Sequence, residues 1–167
     1  MPQRHFRERQ AAKKKGNMIN DEIREIIENN TFGLVATVTP EGRPSVSPKA
    51  TFAILDDKTL AFSNIRSPGT IRNIQYNPNV EVNFVDIFHR TAARIAGTAR
   101  YIPREDAEYE TLLPTFEKWP ANLDQMKGFV VIAVDSAEFI KSPSYDIGAK
   151  REELSAQWLE HFSGLLK

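Results

Sequence analysis

The spacing of apolar side chains changes period several times along the chain, and each change marks an element. Ile19, Ile23, Ile26 and Ile27 recur at helical spacing. Asn20 can cap this helix, Asp21 and Glu22 suit the positive end of its dipole, and Asn29-Asn30 ends it. From Gly33 the period becomes two. Strands are expected over 33–39, over 45–55 after the turn Pro40-Glu41-Gly42-Arg43-Pro44, and over 59–63 after Asp56-Asp57-Lys58. A short amphipathic helix then runs from Ser67-Pro68 to Asn77-Pro78, and strands resume over 80–86 and 91–101. Pro103 fits the first turn of a further helix that passes through Ala107, Tyr109 and Leu112 until Pro114 interrupts it. Residues 128–134 are nearly all apolar, as a strand covered on both faces should be. Leu154, Trp158, Phe162 and Leu165 form one stripe of a C-terminal helix. Six short, closely linked strands with few helices between them predict a mainly β fold with flanking helices, a small antiparallel barrel rather than a doubly wound sheet.

Composition narrows what such a fold can do. With 167 residues and 41% hydrophobic content, the chain suits one globular domain, expected over residues 18–167. Residues 1–17 are rich in Lys and Arg and poor in apolar side chains, which predicts a flexible basic tail. The 22 basic and 22 acidic residues cancel, so no global field draws the protein to nucleic acid or an anionic membrane, and any anion must be met by a local cluster. The absence of cysteine excludes disulfides, thiolate metal sites and a cysteine nucleophile. His5, His89 and His161 are scattered without ligand spacing, so no metal site is expected. No apolar run reaches membrane-spanning length and the N-terminus does not read as a secretory signal, which makes the cytoplasm the expected location.

Three polar constellations remain. In SNIRSPGTIRNIQYNP (63–78), Ser67 is a good N-cap and Pro68 a favoured first helical residue, which ordinary capping explains. Ser63, Asn64, Arg66, Thr70, Arg72 and Asn73 crowd around the same helix start, where unpaired N–H groups and guanidinium groups together would hold an anion, and Gly69 would admit a ligand close to the backbone. From the residues alone both readings stand. Ser45, Ser47 and Lys49 share one face of their strand; Lys49 reads either as a solvated edge charge or as a group converging on that helix start. Arg94 sits between Ala92 and Ala96 on its face, with room for solvent or for a planar ligand.

The order GLVATVTPEGRPSVSPKATFAILDDKTLAFSN, RSPGTIRNIQYNPNVEVNFVD, RIAGTARYI resembles the pyridoxamine 5'-phosphate oxidase-like family of flavin-binding proteins over roughly residues 20 to 148. The resemblance implies a six-stranded antiparallel split β-barrel, a homodimer, and FMN across the subunit interface. It implies that Lys49, Ser67 or Thr70, Arg72 and Asn73 hold the phosphate, that Ser63 and Asn64 approach the ribityl chain or ring, that the strand around Ser47 follows the ring edge, and that Arg94 lies near polar flavin contacts. The adjacent Arg-Lys pair of the vitamin B6 oxidase and its C-terminal substrate-binding segment are missing, so that activity is not expected. The implied function is an FMN-dependent oxidoreductase acting on a small molecule, with NADPH or NADH as a candidate donor and no acid–base pair demanded of the chain. Tyr145, Trp158 and Phe162 are candidates to wall the ring, or else packing residues. The alternatives are a flavin carrier, or a barrel that holds a deazaflavin or haem, the latter with His89 as the candidate ligand.

Overall fold

The computed structural model describes residues 18–30 and 32–166; the tail expected over 1–17 lies outside the described residues. Helix α1 (Asp21–Asn29) starts where the Asn20 side chain accepts a hydrogen bond from the Ile23 N–H, and it buries Ile23, Ile26 and Ile27. Seven strands follow: β1 (Gly33–Val38), β2 (Pro44–Lys49), β3 (Phe52–Asp56), β4 (Thr59–Ser63), β5 (Asn79–Asp86), β6 (Thr91–Pro103) and β7 (Gly128–Lys141). Helix α2 (Pro68–Tyr76) separates β4 from β5, α3 (Ala107–Phe116) and a 3-10 segment (Pro120–Gln125) separate β6 from β7, and α4 (Arg151–Gly164) closes the chain.

All seven strands form one antiparallel sheet in the order β2-β1-β5-β6-β7-β4-β3. Its two edges, β2 and β3, are consecutive in the chain. The single strand expected over 45–55 is therefore two, and Ala50-Thr51 carries the chain from one edge of the sheet to the other. That switch curls the sheet into a barrel split between β2 and β3. The Ser63 N–H donates to the Thr51 carbonyl at 3.3 Å, which extends the β3–β4 ladder by one residue to the crossing.

The alternation along β4 and β7 sorts their side chains into two cores. Leu60, Phe62, Val130, Ile132 and Val134 point into the barrel with Val35, Val82, Phe84 and Ile95, and α1 plugs one end of this interior. Ala61, Phe129 and Val131 face the other way, under Tyr109, Leu112 and Phe116 of α3. The expected double coverage of 128–134 thus has a concrete cause: barrel on one face, helix on the other. Phe129 stacks between Tyr109 and Phe116, with ring centroids 4.7 and 4.3 Å away. Gly97 marks a register shift in the β6–β7 pair, where a Cβ would stand 2.2 Å from the Ala133 carbonyl oxygen.

Two helix limits differ from expectation. Pro103 ends β6 instead of opening a helix, because β6 stays paired with β7 to its last residue; the cap of α3 is Asp106, whose carboxylate accepts from the Glu108 N–H. Pro114 lies inside α3, and its cost is confined to the last turn, which continues to the fully buried Phe116. Among the described residues no helix is long and apolar enough to cross a membrane.

Candidate functional site

A cleft of about 730 Å³ opens where the β2–β3 crossing meets the start of α2 and the segment before β7. Pro48, Lys49, Ala50 and Thr51 line it from the crossing, Ser63, Ile65, Arg66 and Ser67 from the link between β4 and α2, and Asn122, Gln125 and Lys127 from the remaining side. Lys49, Arg66 and Lys127 bring three positive charges, and no Asp or Glu lies in the lining. None of the three forms an ion pair among the described residues. The Lys49 ammonium donates to the Ser47 hydroxyl and, at 3.3 Å, to the Pro48 carbonyl, both neutral acceptors. Burial without a counter-charge lowers its pKa from the usual lysine value.

The floor of the cleft is a fixed polar net. Thr51 and Ser63 share a hydroxyl–hydroxyl hydrogen bond of 2.6 Å, and the Ser63 N–H also donates to the Thr51 hydroxyl at 3.2 Å. Asn64, buried, uses every polar group it has. Its N–H donates to the Gly128 carbonyl, its carbonyl accepts from the Lys127 N–H, its amide donates to the Tyr101 hydroxyl, and its amide oxygen accepts from the Ser67 N–H. Asn64 thereby ties the end of β4, the start of β7, β6 and the start of α2 together. Gly128 permits this junction, since a Cβ would lie 2.4 Å from the Ile102 carbonyl oxygen.

Ser67 occupies the N-cap position of α2, yet its hydroxyl makes no capping bond, contrary to the capping expectation. The carboxamide of Asn64 holds the Ser67 amide, Ser67 lines the cleft, and the space over Gly69 is open.

Of the nine residues expected at a cofactor site, Lys49, Ser63 and Ser67 line the cleft, Ser47 orients Lys49, and Asn64 underlies it. Thr70, Arg72, Asn73 and Arg94 are not brought to it. Helical periodicity explains the first three: Thr70, Ile71, Asn73 and Ile74 are the packed face of α2, and Arg72 lies on the exposed face, where its charge helps lower the pKa of Glu41 behind the larger effect of a Thr39 hydrogen bond. The Asn73 amide donates to the Thr37 hydroxyl at 2.9 Å, which donates to the Ser45 carbonyl, an anchor of α2 on β1 and β2. Arg94 stands on the outer face of β6 between Glu81 and Glu138, at 3.5 Å from each. His89 is also outside the cleft lining. It lies in the β5–β6 turn, its ring nitrogen 2.7 Å from the Asp86 carboxylate. Tyr145 donates to the His89 carbonyl at 2.6 Å, Phe162 meets Phe88 edge-on and Arg90 covers Trp158, so these aromatics pack on that turn.

Arg66, read from the sequence only as a member of the helix-start cluster, completes the lining with Thr51, Asn122, Gln125 and Lys127, which were not among the expected site residues. Arg66 carried a readable signal, its place just before the cap. Residues 122–127 carried none, because only the packing of the 3-10 segment beside Asn64 brings them there.

The donor set fits a phosphate-bearing flavin: the cations and the Ser67 hydroxyl at the start of α2 suit a phosphomonoester, and Pro48, Ala50 and Ile65 offer apolar surface. The volume falls within the range of about 300–1,000 Å³ usual for small-molecule sites.

The family model described as pyridoxamine 5'-phosphate oxidase matches residues 19–141. HupZ of Group A Streptococcus is 31% identical to the chain, covering 75% of it and 96% of its own length, with a TM-score of 0.65. An FMN-binding protein from Syntrophomonas wolfei, 11% identical, covers 71% of the chain and 84% of its own, with a TM-score of 0.60. An F420 reductase, 23% identical, covers 68% and 94%, with a TM-score of 0.54. These last two show likeness of fold alone. No curated protein matches the sequence. The split sheet, its order and the match over residues 19–141 place the chain in the pyridoxamine 5'-phosphate oxidase family.

Proposed function

We propose that this protein binds FMN in the cleft at the start of α2 and acts as a flavin-dependent oxidoreductase on a small molecule. The observation that carries the reading is the carboxylate-free cluster of cations beside an uncapped helix start. Lys49 and Arg66 hold the phosphate, with Ser67 and the first N–H groups of α2 as neutral donors. Thr51 and Ser63 fix the floor, and Asn64 keeps the start of α2 at its angle to β7. Bound flavin would supply the hydride chemistry, and the chain supplies position, charge balance and a partly dry wall.

A second copy of the chain completes the site in this reading. Leu34 and Val46, on β1 and β2, and Val85, Ile87 and Phe88, on β5 and the turn after it, are exposed apolar side chains, which supports an interface on the outer side of these strands. Sedimentation should give a dimer for the wild type, and Val46→Lys should shift it toward monomer.

The visible spectrum of the purified protein and the affinities for FMN and riboflavin test the cofactor. A colourless protein that ignores added FMN would sink the proposal. A phosphate-bearing deazaflavin would meet the same cations, and its distinct absorption separates that reading. Anaerobic mixing with NADPH or NADH then separates an enzyme, whose flavin bleaches, from a carrier, whose flavin stays oxidised.

A further inference from the structure

The C-terminal helix α4 begins beyond the residues 19–141 that match the family, and no part of it lines the cofactor cleft. Its apolar stripe, Leu154, Trp158, Phe162 and Leu165, is covered at one end only. At the start, where Arg151 pairs with Glu25 of α1 at 3.1 Å, Leu154 is 7% exposed. Trp158 lies under the Arg90 guanidinium and Phe162 meets Phe88 edge-on, and both are half-buried. Leu165 is 69% exposed and Leu166 beside it 89%. The stripe therefore runs off the body just past Phe88. Leu154 is the one buried side chain of the helix, so its own chain gives it little packing to hold its shape.

Phe88 is also part of a groove of about 380 Å³, lined besides by Phe32, Leu34, Val85, Ile87 and three asparagines. No charged residue and no residue of α4 lies in that lining. Residues 162–166, Phe-Ser-Gly-Leu-Leu, carry no charge either. One chain thus holds an uncharged apolar groove and an uncharged apolar helix end, adjacent at Phe88 and not filling one another. Two copies related by a two-fold axis would cover both at once, each helix end entering the other copy's groove. A membrane is the poorer match, because Glu152, Glu153 and Glu160 outnumber Arg151 on α4 and repel an anionic lipid surface.

We infer that α4 is a clasp between two copies of this chain, with Leu165 and Leu166 of each seated in the groove formed by Phe32, Leu34, Val85 and Ile87 of the other. The inference rests on the dimer of the proposed function and names the element that crosses it. The groove is continuous with the exposed face of β1 and β5 that supports that dimer, through Leu34 and Val85. The clasp covers the apolar end that the fold leaves in water.

The test exploits a chain without cysteine. Leu165→Cys and Ile87→Cys are made separately, mixed, allowed to exchange subunits and oxidised. The mixture should form an interchain disulfide at least about tenfold faster than either variant alone. Both substitutions placed in one chain should also give a cross-linked dimer. An intrachain bond in that double variant means that the helix end reaches its own groove, and it overturns the clasp; so does a Leu165→Cys protein that cross-links mainly to itself. Sedimentation gives the second readout. Leu165→Glu with Leu166→Glu should raise the dimer dissociation constant about tenfold or more. Ala156→Glu, on the exposed opposite face of α4, should leave it unchanged. All of these positions except Ile87 lie on or just after α4 and are exposed, and far-UV circular dichroism checks that the barrel survives each change. A dimer that resists the double charge and gives no mixed cross-link sinks the clasp and leaves the dimer standing. A wild type that sediments as a monomer sinks both. Wild-type protein that pellets with phosphatidylglycerol vesicles, and stops doing so in the double-Glu variant, assigns the helix end to a membrane and overturns the clasp.

Discussion

Two groups of cations on this molecule are placed by the same sheet and have opposite environments. Arg94 stands on the outer face of β6 with a carboxylate on each side, and Arg100 makes a two-pronged pair with Glu108, at 2.7 Å through one nitrogen. Lys49, Arg66 and Lys127 surround a concavity in which no carboxylate takes part. Arg94 and Arg100 have their counter-charges within the fold. The cleft cations are left for something that the fold does not supply. An arginine on a strand is therefore uninformative until its neighbours across the sheet are known, and registry decides it: Arg94 pairs with Asn83 on one side and Glu138 on the other.

Charge reversal should separate the two groups most sharply. Arg66→Glu is expected to weaken FMN by a hundredfold or more, since it removes a charge-assisted bond of about 1.5–3 kcal/mol and adds repulsion. Riboflavin should bind the variant as it binds the wild type. Arg94→Glu should leave FMN affinity unchanged and lower unfolding stability, read by urea denaturation, by about 1 kcal/mol, because three carboxylates would then adjoin on an exposed face. If Arg94→Glu impaired FMN as Arg66→Glu does, the distinction between the groups would fail.

Asn64 tests the floor on which the cleft cations stand. Asn64→Ala strips the amide that holds Tyr101 and the start of α2, and leaves buried partners unpaired. A loss of about 1–3 kcal/mol in stability is expected, together with weaker binding of FMN and riboflavin alike, because the geometry and not the charge is lost.

A smaller effect follows from pH. Burial lowers the Lys49 pKa, so the ammonium loses its proton at lower pH than an ordinary lysine does. A lysine disfavoured as a cation in the folded state destabilises the fold while charged, and that penalty lifts as pH rises through its folded value toward the unfolded one. Ligand binding runs the other way: the phosphate needs the cation. FMN affinity should therefore fall on an alkaline limb that lies below the usual lysine range, riboflavin affinity should show no such limb, and Lys49→Arg should remove it. At the far side of the molecule Asp86 gives the contrasting acid limb. Burial pushes its carboxyl up, but hydrogen bonds from the His89 N–H and ring, with the charge of His89, outweigh burial and hold it below the usual value. Its stabilisation is present above the unfolded pKa and is lost as pH falls through the folded one. Asp86→Asn should flatten that part of the acid denaturation curve and leave FMN binding unaffected.

Much of the fold was legible because β1, β2 and β5 alternate, the start of β7 is a continuous apolar run, and the turns use Pro, Gly and Asp. What was not legible was the break at Ala50-Thr51. The apolar alternation runs through it unchanged, and the reason for the break is the pairing of β2 with β1 and of β3 with β4, set by distant residues. The site divided along the same line. Ser63, Ile65, Arg66 and Ser67 reach the cleft because they precede a helix start, a local feature that the sequence displays. Thr70 and Asn73 carry the same polar chemistry but fall one turn later, on the face that packs with Ile71 and Ile74. The helical period that located α2 also contained that information. Lys127 could not be read at all, since its approach to Arg66 depends on Asn64 bridging two segments more than sixty residues apart.

The central claim is that the carboxylate-free cations of the cleft hold the flavin phosphate. Isothermal titration of FMN and riboflavin into the wild type and the Lys49→Ala, Arg66→Ala double variant tests it most directly. A wild type that prefers FMN strongly, and a double variant that has lost that preference while still binding riboflavin at wild-type affinity, is the predicted result. Equal affinities for the two flavins in the wild type, or a preference for FMN that survives both substitutions, would contradict it.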